Sequence, residues 1–181
     1  MILTPRSRFY IIRFFYIFSV SFTKTTFYLY FNEYHKLGHT NVLFIFAFFN
    51  ISVMLMEVPT AAIGELIGAR KSFLIGLLLK IFAAINFFIG TRLWHFCMAE
   101  VISALAVSFI SGSLNAWLIS QLGQIKESTV SHIFIVGKRI TICAMALGGV
   151  CGAILGQKHL GLPWLLVLTG ISITFVISLK L

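Results

Sequence analysis

Residues 37–56 contain no Asp, Glu, Lys or Arg, and apolar runs of similar length follow along the chain. A helix rises about 1.5 Å per residue, so roughly 20 apolar residues cross a bilayer core of about 30 Å. Charged residues make up about a quarter of an ordinary soluble domain. Here they are 10%, against 59% hydrophobic residues. The chain therefore reads as an integral membrane protein. In hydrocarbon, a spanning helix satisfies its backbone polar groups within its own segment. The expected fold class is all-α, a polytopic transmembrane bundle.

Six spans fit, at about 9–31, 41–64, 72–91, 93–122, 131–156 and 162–179, within one domain covering residues 1–181. The connections are short, so sequential helices are expected as antiparallel neighbours. Arg6 and Arg8 before an apolar stretch imitate a secretory signal, but no A-x-A-like site follows, and the stretch is read as an uncleaved first helix. The net charge of +9 would suggest nucleic acid in a soluble protein. The cations are dispersed near span ends, however, as the positive-inside bias requires, and no nucleic-acid partner is expected. With both termini cytoplasmic, the inner segments carry Arg6, Arg8, Arg70, Lys71, Lys126 and Lys180, and the outer loops Lys36, Arg92 and Lys158.

Cys97, Cys143 and Cys151 fall in apolar spans without C-x-x-C spacing, and read as small buried residues. His39, His95, His132 and His159 sit near span ends and His35 in the first outer loop. None has metal-ligand spacing, so neither a metal nor another cofactor is expected. An intramembrane enzyme has little support, since H-E-x-x-H and G-x-S-x-G are both missing.

Residues 57–71 read E-V-P-T-A-A-I-G-E-L-I-G-A-R-K. Two Glu, a Pro, two Gly and an Arg-Lys pair thus fall in the stretch that ends the second span and leads to the third. This stretch resembles the loop between helices two and three of major facilitator superfamily transporters, with the pattern Gly-x-x-x-Asp-x-x-Gly-Arg-Lys. Ala61 stands for the first Gly, Glu65 for the Asp, Gly68 for the second Gly, Ala69 for the Arg and Arg70 for the next basic residue, followed by Lys71. Glu57-Val58-Pro59-Thr60 resembles a version common in bacterial members. Residues 111–122, S-G-S-L-N-A-W-L-I-S-Q-L, resemble Ser-Gly-x-x-Glu-Ala-Trp-Leu-x-Asp-x-Leu of the same transporters, with Asn115 and Ser120 replacing two carboxylates. The resemblance implies the N-terminal half of a twelve-helix transporter that moves a small solute by alternating access, and so a second six-helix half as partner. It implies a bacterial inner membrane, a latch made by Glu65 and Arg70, and a central cavity bordered by helices 1, 2, 4 and 5. The alternative is a truncated, non-transporting membrane interaction protein, suggested by Ala61, Ala69, Asn115 and Ser120.

Ionisable groups inside a membrane are expensive, and each is a functional candidate. Arg13 and Lys24 are eleven residues apart, near three full turns, so an unbroken helix puts them on one face with Tyr28 close by. Asn50 and Glu57 align in the second span. Glu100, Ser103, Ser111 and Asn115 align in the fourth, and Arg139 joins from the fifth. Depth suggests the pairs Lys24–Glu100 and Glu57–Arg139, either lining the cavity or holding the bundle. Lys80 belongs to the third span, expected at the lipid-facing periphery. Gly148, Gly152 and Gly156 form a small-xxx-small stripe suited to close helix contact, either within the bundle or against a second half. The proline found beside such glycines in many antiporters is missing, so antiport is not expected.

Overall fold

The computed structural model describes residues 4–123, 127–179 and 181. Two of the expected inner cations, Lys126 and Lys180, lie outside them. The described chain is all-helical: α1 (Pro5–Ser21), a short α2 (Phe27–Leu29) running into a π-helical turn (Tyr30–Tyr34), α3 (His39–Ile67), α4 (Ala69–Ile89), α5 (Leu93–Ile110), α6 (Ser113–Leu122), α7 (Glu127–Lys158) and α8 (Leu162–Ser178).

Among the described residues, four stretches are long and apolar enough to cross a membrane: His39–Ile67, Ala69–Ile89, Leu93–Leu122 and Glu127–Lys158. The α8 helix is apolar but shorter, at 17 residues. The first expected span, 9–31, is interrupted at residues 22–26. Six continuous spans are therefore not what the helices form.

The interruption follows from a hydroxyl-rich run. Ser19 Oγ donates to the Phe15 carbonyl (2.6 Å) and Ser21 Oγ to the Ile17 carbonyl (2.7 Å). Such side chains compete with the helical ladder. Beyond them the N–H groups of Phe22, Lys24 and Thr26 reach back three residues, not four, at 3.4, 3.3 and 3.2 Å. The fourth span breaks too, at Ser111–Gly112, where Gly112 takes a left-handed φ of 76° that a side chain would disfavour. The expected loop over 65–71 shrinks to Gly68 alone, at φ 86°. Glu65 stays in the last turn of α3, while Arg70 and Lys71 open α4.

Packing is reciprocal between the two halves of the chain. In space, α5 lies against α3 and α4, α1 lies against α7 and α8, and α4 meets α8. Each leading helix is the broken one. Small residues permit the contacts. A Cβ on Gly152 would fall 1.9 Å from the Phe22 carbonyl oxygen, and one on Gly148 2.5 Å from that of Phe18. One on Gly156 would meet Thr26 at 2.5 Å. The glycine stripe is thus approached closely by α1 and the unwound segment after it, inside the bundle.

Two hydrophobic clusters make the core. One, around Phe9, Ile12, Phe73, Leu77, Trp117 and Leu118, lies toward the Gly68 end. The other holds Tyr30, Phe31, Phe87, Phe96 and Trp164 at the opposite end, where Tyr30 donates to the Phe87 carbonyl at 2.9 Å. By contrast α3 is mostly uncovered, with Val58 76% and Leu66 87% exposed. Such a surface suits hydrocarbon or another apolar partner, not water. Cys143, expected buried, is exposed because it faces away from α1 on α7; Cys97 and Cys151 are half-buried.

Candidate functional site

Between the two clusters lies a cavity of about 430 Å³. Its walls come from α1 and the unwound segment (Tyr16, Lys24), α3 (Phe46, Phe49), α4 (Lys80, Phe87), α5 (Glu100, Ser103) and α8 (Trp164). This space inside the bundle is thus lined by α4 and α8 as well, and α7 with Arg139 does not border it.

Charge is concentrated where α4 faces α5. Lys80 Nζ donates a hydrogen bond to Ser103 Oγ. Glu100 lies three residues before Ser103 on the same helix, is only 5% exposed, and attracts Lys80 electrostatically. Lys24 is also near enough to Lys80 to repel it. Among the described residues no direct ion pair joins Glu100 to either lysine.

Two expectations change here. The lysine facing Glu100 is Lys80, not Lys24, and Lys80 points into the bundle, not to its periphery. The α4 sequence explains why. Ser72, Phe73, Gly76, Leu77, Ala83, Ala84 and Phe87 are its buried residues, and Lys80 falls on the same stripe at steps of three and four.

Arg13 belongs elsewhere. Its Nε donates to Thr141 Oγ1 at 2.8 Å and its Nη1 to Asn115 Oδ1 at 3.1 Å, and its guanidinium lies 5.4 Å from the Phe9 ring centre. This node ties α1 to α6 and α7. The break at residues 22–26 resets the helical register, so Arg13 and Lys24 do not share a face. Asn115, standing where the resembled motif has a carboxylate, keeps an acceptor on Arg13. Thr141 had no signal in the sequence beyond its position two residues after Arg139.

The pair Glu57–Arg139 does not form. Both side chains are exposed, and α3 and α7 are not packing neighbours. Asn50 is exposed and bonds only its own helix, at the Phe46 carbonyl (2.8 Å). Glu57 instead borders a second cavity of about 450 Å³ at the Gly68 end. Ala61, Glu65 and Gly68 line it from one side, Ser111 and Gly112 from the other. The two stretches that carry the resemblance thus meet in space. Arg70 Nη2 reaches the Leu179 carbonyl at 2.8 Å, joining the start of α4 to the end of α8, whereas Lys71 is exposed.

No grouping of His, Cys, Asp and Glu among the described residues has the arrangement of a metal site. His35 packs against Tyr30, Tyr34 and Phe96 beyond the cavity, and burial lowers its pKa from the ordinary value. No protein-family model matches the chain, and no curated protein matches it. The chemistry of the cavity carries the functional argument alone.

Proposed function

We propose that the protein moves a small solute across a membrane by alternating access, as a six-helix half of a transporter of the major facilitator kind. The observation behind this is the cavity holding Lys80, Glu100 and Lys24 between otherwise apolar helices. A charged group at mid-span costs about 2.5–3.5 kcal/mol even on the lower insertion scales. A bundle that used Lys80 and Glu100 only as a fastener would close them into a direct ion pair. Here they border open space of the size used for small molecules, about 300–1,000 Å³.

The reciprocal packing supports the reading. If α1 and α2 together count as one broken span, three spans precede α5, the second set of helices runs inverted relative to the first, and each set leads with a broken helix. Transporters built from inverted repeats hold solute beside such broken helices near the midplane. The uncovered α3 face with Asn50 and Glu57 is, in this reading, the side that a second six-helix half covers. Arg6, Arg8, Arg70 and Lys71 set the Gly68 end in the cytoplasm of a bacterial inner membrane.

A cysteine at position 49 in a cysteine-free variant tests the proposal without knowing the solute. Membrane-impermeant maleimide should label Phe49→Cys in both right-side-out and inside-out vesicles from cells making the protein. Labelling from one side only, or from neither, would favour the non-transporting interaction protein.

A further inference from the structure

We infer that the cavity takes a small organic monoanion with an apolar body, its anionic group held at Lys24 and Lys80. The use of the site in transport rests on the reading above, whereas the binding preference rests on the cavity's own residues.

Two lysines and one glutamate supply its charge, a formal net of +1. Lys80 is already engaged by Ser103 and attracted by Glu100. Their formal charges offset each other, so the formal excess is that of Lys24. Lys24, exposed where it borders the cavity, has neither an ion pair nor a side-chain hydrogen bond among the described residues, and it lies near enough to Lys80, of like sign, to repel it. An anion between the two ammonium groups turns that repulsion into two attractions. A cation would face two like charges against one carboxylate. A neutral solute would leave Lys24 unmatched.

Trp164 lines the cavity, is 4% exposed, and its indole Nε1–H has no hydrogen-bond partner among the described residues. That N–H has no accessible surface and does not meet the occupant, so the Trp164 ring, packed 4.4 Å from Phe87, adds only apolar wall. The remaining wall excludes a bare inorganic ion as the natural occupant. Tyr16, Phe27, Phe46, Phe49 and Phe87 give an aromatic lining, with Phe27 and Phe46 ring centres 4.5 Å apart. A hydrated ion would leave that surface and most of the volume unused.

Calorimetry on the purified full chain in zwitterionic nanodiscs tests this with three probes of one shape: benzoate, benzamide and benzylammonium. Benzoate should bind about tenfold or more tighter than either isostere, as expected for a charge-assisted contact. Lys24→Gln should erase the preference and Lys24→Arg keep it, with unchanged melting in both. Equal binding of benzoate and benzamide, tighter binding of benzylammonium, or no benzoate binding to the folded chain overturns the inference. Vesicle uptake of the same probes separates the two claims. Anion preference without uptake contradicts transport alone, and uptake of a neutral or cationic probe without anion preference contradicts this inference alone.

Discussion

Lys80 donates its ammonium hydrogen to Ser103, one helical turn beyond Glu100, so the cation of α4 is held against the carboxylate-bearing face of α5. The two helices approach closely because Gly76 gives α5 room beside Ala106 and Ile110. Without that contact Lys80 would have no polar neighbour on α5.

The Arg13 node should be structural. Asn115→Leu removes the acceptor for Arg13 Nη1 and leaves a partly buried guanidinium short of one bond, at a cost of about 1–3 kcal/mol. Asn115→Asp restores an acceptor of the same length and should melt close to the parent. Thermal melting in detergent checks both. Equal melting of Asn115→Leu and the parent would show that the bond contributes nothing.

The α1–α7 contact predicts a sharp difference between adjacent glycines. Gly152→Ala places a methyl within 1.9 Å of the Phe22 carbonyl oxygen, so backbone must move, and a loss of about 1–3 kcal/mol or more is expected. Gly149→Ala meets only the Thr25 methyl, at 3.5 Å, an ordinary contact, and should be tolerated. Size-exclusion yield and melting of the two variants give the comparison. Similar behaviour of the pair would mean that α7 does not sit this close to the unwound segment.

How much of this was legible in the sequence differs by element. The α3 and α4 spans, the Gly68 turn and the glycine stripe follow from hydropathy and residue size, and they are where expected within a few residues. The partner of the stripe is the unwound segment, which no periodicity in α7 reveals. Arg13 and Lys24 share one face only on an unbroken helix. The run from Ser19 to Thr26, with its competing hydroxyls, carried the contrary signal. The Lys24–Glu100 pairing rested on depth along the axis, and depth leaves the direction around each helix free. Lys80 was the most readable of the missed residues, since it shares the stripe of Gly76, Ala83 and Ala84.

Acid should weaken the end of the bundle that holds His35. Burial among aromatic rings puts its folded pKa below the ordinary 6.5, so the unfolded chain binds more protons between the two values. Its contribution is therefore full above about pH 6.5 and is lost as pH falls through the folded pKa. Melting temperature should drop between pH 7.5 and 5, and His35→Gln should show a shallower drop. Parallel pH profiles for the two proteins would contradict this assignment.

The coupling inside the bundle runs between Lys80 and Glu100, and not between Lys24 and Glu100. A double-mutant cycle in nanodiscs measures it directly, from the melting of Lys80→Met, Lys24→Met, Glu100→Gln and the two double variants. Removing one member of a coupled buried pair strands the other, whereas removing both costs less. Lys80→Met with Glu100→Gln should be more stable than the sum of its single losses allows, while losses at Lys24 and Glu100 should simply add. Additive losses at Lys80 and Glu100, with coupling between Lys24 and Glu100 instead, would contradict it.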